Sequence, residues 1–199
     1  MLLRWLDQLD LSPSDRFLHI GCGVGYYTAI VAAVLTAGSV VGVELDPGLA
    51  DRARRNLSRS PNARILSTDG SEFRHEAFDV IFVNAGATEP LPLWLDQLDF
   101  GGRLLVPMTV ALPVLGIGGG HMLLVSRHSD AYSARFVSPV GIFDCAGART
   151  DDGEKLLKEA YQRGGQERVR SLRRDAHPPG PQCWLHAPRF CLSLLAADS

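Results

Sequence analysis

An apolar strand that runs into glycines at alternate positions sets the fold class of this chain. The segment reads Leu18-His19-Ile20-Gly21-Cys22-Gly23-Val24-Gly25-Tyr26, and helical sequence follows it. Glycine lets the backbone turn tightly and approach a ligand that a Cβ atom would block. The start of the helix behind the loop offers N–H groups to a polar or anionic ligand group. The unit therefore predicts an α/β fold with a ligand site at the loop.

A second apolar strand, Val40-Val41-Gly42-Val43-Glu44, ends in an acid nineteen residues after Gly25. A carboxylate at such a strand end can accept hydrogen bonds from both hydroxyls of a ribose. Dinucleotide sites usually read G-x-G-x-x-G, a spacing that serves a pyrophosphate. Here the spacing is G-x-G-x-G followed by Tyr26-Tyr27, which resembles motif I of the class I S-adenosylmethionine (SAM) methyltransferases. The pair of signals predicts a nucleoside-containing cofactor.

Size and composition narrow the function class. With 199 residues and 46% apolar residues, the chain is expected to form one domain with an ample core. A net charge of −2 argues against a general nucleic-acid binder, which needs a basic surface. No apolar run approaches the roughly 20 residues of a membrane span. The segment Met1–Asp7 lacks the features of a signal peptide, so a cytoplasmic protein without membrane contact is predicted.

The cysteines give no metal or redox motif. They are Cys22, Cys145, Cys183 and Cys191, and no C-x-x-C is present. Two of them crowd the C-terminal region with His177 and His186, but their spacing matches no familiar zinc template. We therefore expect solvent-facing or packed side chains there and no metal site.

Strands and helices alternate through the first half, which is the pattern of a parallel sheet covered by helices. Strands are predicted over residues 17–20, 39–44, 63–67, 78–84 and 103–108, and helices over residues 26–35, 47–57 and 90–98. Runs 122–127 and 132–140, joined by His128-Ser129-Asp130, read as an antiparallel hairpin after a glycine-rich, mobile connection at 111–120. Beyond it we predict a helix over 151–162 and strand-like sequence over 183–195.

Taken in order, several segments resemble the protein-L-isoaspartate O-methyltransferase family, a branch of the class I SAM methyltransferases. The likeness covers about residues 1–148. Besides motif I, the matching segments are Met1–Leu3, Leu11–Asp15, Glu44–Ala50, Ala53–Leu57, Thr68-Asp69-Gly70, Phe78–Ile81, Pro92–Pro107 and Pro139–Arg149. The resemblance implies a Rossmann-like class I methyltransferase fold with a seven-stranded, mostly parallel sheet and the hairpin at one edge. Residues 1–150 would form the SAM-binding core, with 151–199 as an extension packed on it.

The resemblance also implies a set of cofactor-binding residues. Gly21, Gly23 and Gly25 would lie against the methionine part, Glu44 would hold the ribose, Asp69 would accept the adenine amino group, and Asn84-Ala85 would line the mouth near the sulfonium. Cys22, Tyr26, Leu45 and Gly70 complete the predicted set. Taken alone, Asp69-Gly70 is more often a turn, Asn84 could cap a turn, and Glu44 could be a solvated acid. No catalytic residue is identified.

The chain departs from the family pattern in three places. His19 stands where an acid normally precedes the glycine loop, and a core or strand-edge histidine is favoured over a catalytic one. The usual substrate-binding segment before motif I has no room here, so we expect a poor isoaspartyl repair enzyme. Residues from 151 onward have no counterpart, and their basic patch, Arg168, Arg170, Arg173 and Arg174, could contact an acidic partner or be a solvated helix face.

The predicted function is SAM-dependent methyl transfer to a protein, peptide or small-molecule acceptor, with the acceptor and the oligomeric state left open. A carboxylate acceptor, ionised at neutral pH, would need no general base, whereas an amine or hydroxyl would. One alternative is a degenerate, non-catalytic SAM-fold binding module. The other is a short-chain dehydrogenase, suggested by Asn84-Ala85-Gly86, but no tyrosine is followed four residues later by lysine.

Overall fold

A ten-stranded mixed sheet organises residues 3–112, 117–129 and 131–197, which a computed structural model of the chain describes. The strands are β1 (Arg16–Ile20), β2 (Ser39–Glu44), β3 (Ala63–Ser67), β4 (Phe78–Val83), β5 (Leu98–Ala111), β6 (Ile117–His128), β7 (Ala131–Phe143), β8 (Ser171–Arg173), β9 (Cys183–Ala187) and β10 (Phe190–Ser193). Their order is β3-β2-β1-β4-β5-β6-β7-β8-β10-β9.

The first five strands form the parallel half of the sheet. β1 lies at its centre between β2 and β4, and β3 and β5 lie outside them. The chain leaves β1 in one direction towards β2 and β3 and returns on the other side as β4 and β5. Ligands of open α/β sheets bind where the order reverses, beyond the carboxyl ends of the strands. The predicted alternation of strands and helices is confirmed here.

The other five strands are antiparallel. The sheet therefore has ten strands and not the predicted seven. β6 and β7 form the expected hairpin on β5, but β8 pairs with β7, so the hairpin does not lie at the sheet edge. The run 183–195 is two strands, because the chain turns at Pro188-Arg189 and β10 folds back on β9. β10 also pairs with β8, which leaves β9 as the outermost strand.

The connection at 111–120 also differs from the prediction. β5 and β6 extend into it, and Gly118, Gly119 and Gly120 pair with the end of β5. Residues 113–116 lie outside the described residues, as does Asp130 in the hairpin turn. Pairing over this length makes β5, β6 and β7 the longest strands of the sheet.

Five helices pack beside these strands: α1 (Leu3–Asp7), α2 (Tyr26–Val34), α3 (Pro47–Asn56), α4 (Pro92–Asp96) and α5 (Asp151–Arg163). α3 begins with a proline after Asp46, whose carboxylate accepts the N–H of Leu49 at 2.8 Å. α4 is shorter than the predicted 90–98 because Leu98 already pairs with Phe78 in the sheet. None of the helices in the described ranges has the length and apolarity to cross a membrane.

The apolar core lies on both faces of the sheet. In β4, Ile81 and Val83 pack on one face while Val80 and Phe82 pack on the other, because side chains alternate along a strand. A strand buried on both faces reads as a continuous apolar run, as β4 does. The first face also holds apolar side chains of α5 and β8–β10, so residues beyond 150 share the core of the parallel half.

Candidate functional site

A cleft of about 480 Å³ opens at the carboxyl ends of β1, β2, β3 and β4. Its lining comprises Ile20, Gly21, Val43, Glu44, Leu45, Asp46, Pro47, Asp69, Gly70, Ala85, Asp144, Cys145 and Ala146. Six of the residues predicted to bind a cofactor are among them. The parallel strands bring together residues that are up to 65 positions apart in this part of the sequence, from Ile20 to Ala85.

The glycine loop leaves β1 in a conformation that favours glycine. Gly21, Gly23 and Gly25 all have positive φ, at 71°, 55° and 85°. Gly25 also lies against α3, where a Cβ atom would stand 2.8 Å from the side chain of Leu57. Gly21 packs beside Ala85, so the ends of β1 and β4 meet at the floor of the cleft. The loop geometry thus explains the alternate glycines of the sequence.

Glu44 is fixed at the end of β2 by two backbone groups. Its Oε2 accepts the N–H of Gly23 at 2.7 Å, and its Oε1 accepts the N–H of Asp46 at 3.0 Å. The carboxylate is partly exposed and lines the cleft. Since each carboxylate oxygen has two acceptor sites, each retains one for a ligand hydroxyl.

Asp69 lies on the loop after β3 and is oriented by Ser71. The N–H and the hydroxyl of Ser71 both donate to Asp69 Oδ1, at 2.8 and 2.7 Å. The second oxygen, Oδ2, is left to accept from a ligand. Beside it, Gly70 is buried against β1. The packing is so close that an added Cβ atom would lie 2.4 Å from Ile20 Cγ2, so only glycine fits there. Asp69-Gly70 therefore forms a turn that is also part of the cleft wall.

The remaining predicted residues lie around the cleft without lining it. The side chain of Cys22 is buried in a small apolar cluster with Ala50, Ala53, Leu57 and Ile65. Burial raises the pKa of this thiol to about 12. Tyr26 is 66% exposed at the start of α2. Asn84 makes a 3.5 Å contact from its amide nitrogen to the carbonyl oxygen of Gly21. Gly23 and Gly25 form the back of the loop.

Seven of the lining residues were not predicted as site residues. Ile20, Val43, Asp46 and Pro47 adjoin predicted residues in sequence, whereas Asp144, Cys145 and Ala146 come from a distant segment. The last three reach the cleft because the chain after β7 runs alongside the end of β4, where Gly86 donates to Phe143 and accepts from Cys145 at 2.7 and 2.8 Å. Burial raises the pKa of the Cys145 thiol to about 12, so the thiol is protonated at neutral pH. No local pattern around these residues signals a site, since the pairing joins segments nearly sixty residues apart.

Arg149 holds the segment Asp144–Ala146, the late segment, in place. Its guanidinium donates to Thr109 Oγ1 at 2.9 Å and to the carbonyl oxygen of Gly86 at 3.2 Å. It also forms ion pairs with Asp144, at 3.1 Å, and with Glu154 of α5. With its side chain only 17% exposed, Arg149 connects the cleft wall to the end of β5 and to α5.

His19 is a core histidine, as predicted. Its ring is fully buried, stacks on Phe82, and contacts Thr28 Oγ1 through Nδ1 at 2.9 Å. Burial lowers its pKa to about 3, so the imidazole is neutral near pH 7. The His19 ring contacts the side of α2 that packs on the sheet, and His19 does not line the cleft.

The basic patch is not a helix face. Arg173 pairs with Asp175, and Arg174 pairs with Asp96. Arg170 donates to the carbonyl oxygens of Glu167 and Val169, and Arg168 is exposed. Since two of the four cations have acidic partners within the chain, the patch offers less positive charge than its sequence suggests.

Comparison with known proteins supports the geometry. A family model described as Protein-L-isoaspartate(D-aspartate) O-methyltransferase matches residues 1–114. The protein-L-isoaspartate O-methyltransferase of Methanoculleus marisnigri is 42% identical over 107 residues, which are 51% of this chain and 47% of that protein. The chain spans about half the length of most of the curated relatives that it matches.

Solved structures show the same fold. A protein-L-isoaspartate O-methyltransferase superposes with a TM-score of 0.64 and 25% identity, covering 80% of this chain and 49% of that one. A β-aspartate methyltransferase structure from Plasmodium falciparum, in complex with S-adenosyl-L-homocysteine, superposes with a TM-score of 0.57 and 19% identity, covering 73% and 71%. The predicted Rossmann-like class I methyltransferase fold is confirmed by these similarities.

Proposed function

The chain belongs to the protein-L-isoaspartate O-methyltransferase family, and we propose that it is a methyltransferase that uses S-adenosyl-L-methionine. The observation that carries the proposal is the meeting of Glu44, Asp69 and the glycine loop around one cleft at the point where the strand order reverses. A degenerate binding module would not need to keep both carboxylates oriented by internal hydrogen bonds. The dehydrogenase alternative has no support from the comparisons.

The cleft suits each part of the cofactor. Glu44 keeps acceptor sites on both oxygens for the two ribose hydroxyls, and Asp69 Oδ2 can accept the adenine amino group. The exposed side chain of Leu45 offers apolar contact to the adenine ring between them. The methionine part would lie against Gly21, Gly23 and Gly25, with Cys22 and Tyr26 contributing backbone to the same turn. Gly70 leaves the wall beside the adenine free of a side chain.

Asn84 and Ala85 would lie nearest the reacting methyl group, at the floor between β1 and β4. When bound, the cofactor supplies an activated methyl group on a sulfonium. The protein's task is to align the acceptor for in-line displacement and to exclude water. A new bond forms from the acceptor oxygen to the methyl carbon, the carbon–sulfur bond breaks, and its electron pair stays on sulfur.

We propose a carboxylate acceptor on a protein or peptide. The relatives are described as protein-L-isoaspartate O-methyltransferases, and a carboxylate needs no general base because it is ionised at neutral pH. The Cys145 thiol in the lining is held protonated and is a poor base. The basic patch is a weaker candidate for acceptor contact. We also place the protein in the cytoplasm, where its free thiols would stay reduced.

Two measurements test the proposal. Calorimetry with S-adenosyl-L-homocysteine tests the cofactor site, and failure to bind would favour the degenerate module. Transfer of labelled methyl to an isoaspartyl peptide, with the matching aspartyl peptide as control, tests the acceptor. Binding without transfer to the isoaspartyl peptide would contradict the acceptor assignment alone. Run beside an authentic repair enzyme, the same assay measures how efficient the transfer is.

A further inference from the structure

Two histidines and two cysteines meet at the outer end of the antiparallel half, away from the cleft. They are His177, Cys183, His186 and Cys191, and their ligand atoms all lie within 4.8 Å of one another. We propose that these four side chains bind one zinc ion that fastens the C-terminal strands. The spacing of these residues in sequence predicts no metal site, and the group shares no residue with the cleft lining.

The strand pairing brings three of the four side chains to one face. His186 on β9 lies directly opposite Cys191 on β10, and directly opposite residues project from the same side of an antiparallel pair. Cys183 is three residues from His186, so in a regular strand it would point to the other face. A bulge shifts the register by one residue between Leu185 and Cys183, which turns Cys183 back towards the other two.

His177 completes the group from the loop after β8. Its Nδ1 lies 2.9 Å from the carbonyl oxygen of Asp175 and 3.3 Å from that residue's Oδ2. An Nδ1–H donor to these oxygens leaves Nε2 with a free lone pair, and Nε2 lies 3.6 Å from the sulfur of Cys183. Metal-binding histidines are commonly oriented by a carboxylate or carbonyl on the other ring nitrogen.

One polar atom of the group is unsatisfied among the described residues. Nδ1 of His186 is buried, and none of the described residues gives it a hydrogen-bond partner. The His186 ring also lies across the ring of His177, with centroids 4.8 Å apart. A buried nitrogen without a partner costs free energy, and a metal ion would satisfy it.

The ligand set identifies zinc as the ion. Two thiolates and two imidazoles in a tetrahedral arrangement are typical of structural zinc. With bond lengths near 2.3 Å to sulfur and 2.0–2.1 Å to nitrogen, tetrahedral ligand atoms stand about 3.3–3.8 Å apart. A contraction of about an ångström would close the group onto the ion. Two thiols lose their protons to solvent as two zinc–sulfur bonds form, so their charge balances that of the dication.

Such an ion would hold the C-terminal strands to the core. The ion would join three elements at the outermost edge of the sheet: β9, β10 and the loop that contains Pro178-Pro179. Trp184 and Leu192 from these strands pack in the same apolar cluster as α5. Because four side chains would fill the tetrahedral positions, the site would have a structural role and leave no position for a substrate.

The test measures metal in the full chain, produced without a polyhistidine tag. We expect about one zinc per chain by mass spectrometry of the metals, and cobalt substitution should give the visible spectrum of a tetrahedral thiolate site. Alkylation mapped on the wild-type protein should spare the partly exposed Cys183 with zinc and modify it after chelation. This measurement needs no variant that could fail to fold.

Variants identify the ligands. Cys191→Ser and His186→Ala should each weaken zinc affinity by more than the roughly 10–100-fold that loss of an outer-shell partner costs. His128→Ala, an exposed histidine outside the group, is the matched control and should keep the zinc. The proposal is overturned if the wild-type protein neither holds nor takes up zinc, if zinc leaves Cys183 open to alkylation, or if Cys183 and Cys191 are joined as a disulfide.

Discussion

The carboxylate of Glu44 accepts the backbone N–H of Gly23 at 2.7 Å. This hydrogen bond joins the end of β2 to the glycine loop after β1, so the two strongest sequence signals of the chain are parts of one structure. It fixes the carboxylate before any ligand arrives, which lowers the entropy lost on binding.

Replacing Glu44 with alanine should weaken binding of S-adenosyl-L-homocysteine by about 1–3 kcal/mol, the scale of lost charge-assisted hydrogen bonds. Isothermal calorimetry measures the change. Glu76→Ala removes an exposed acid outside the cleft lining and is the matched control. Equal affinity of a folded Glu44→Ala variant and the wild type would show that the ribose contact is misassigned.

Asp69→Asn should change the choice of base as well as the affinity. The asparagine oxygen can still accept from Ser71, but an NH2 group would replace Oδ2 and face the adenine amino group as donor to donor. We expect a loss of about 1–3 kcal/mol for the adenosyl ligand and a smaller loss for its inosyl analogue, whose base presents an oxygen there. Competition binding with both ligands measures the ratio, and an unchanged ratio would contradict the adenine assignment.

The buried His19 should make stability fall between pH 6.5 and 5. Its folded-state pKa is lowered to about 3, so in this window the unfolded chain binds a proton that the folded chain does not. The free energy of unfolding should therefore drop on acidification, by about 2 kcal/mol over 1.5 pH units from this group. Urea unfolding of the wild type and of His19→Asn at both pH values gives the difference.

The variant should lose most of that pH dependence, and equal slopes for the two proteins would contradict the assignment. Should His19→Asn not fold, NMR of the wild-type histidines provides a second measurement. The His19 ring signals should not titrate between pH 7 and 5, because the buried ring stays neutral there.

The parallel half could be predicted from sequence because each of its signals is local. β2 and β4 are apolar runs buried on both faces. Glu44 ends β2, and Asp69 lies two residues after β3, so both mark the strand ends that form the cleft. The glycine loop is equally local, since its positive φ values restrict the residue type position by position. Such features need no knowledge of what packs against them.

The antiparallel additions could not be predicted because pairing with distant segments creates them. β8 has three residues and exists as a strand only between β7 and β10. The cleft wall at Asp144–Ala146 likewise depends on contact with Gly86. In the C-terminal group, one bulge places Cys183 beside His186, and the spacing of the residues in sequence does not reveal it.

Arg149 should contribute to stability and to ligand binding together. Arg149→Ala would leave Asp144, Glu154 and Thr109 without their shared donor. We expect this to lower the free energy of unfolding by about 2–4 kcal/mol. The cost is below that of breaking a fully buried ion pair because Asp144 is half-exposed. Release of the Asp144–Ala146 wall should also weaken binding of S-adenosyl-L-homocysteine. Arg168→Ala, an exposed arginine, should stay within about 0.5 kcal/mol of the wild type.

Urea unfolding and calorimetry on the same preparations separate the two effects of Arg149. Arg149→Lys keeps the charge but loses the forked geometry that reaches Asp144 and Glu154 at once, so it should fall between the wild type and alanine in both measurements. If Arg149→Ala lowers stability and leaves ligand affinity unchanged, the late segment is only structural and does not act as a wall of the cofactor site. If neither quantity changes, the network around Arg149 is not what holds the segment against β4.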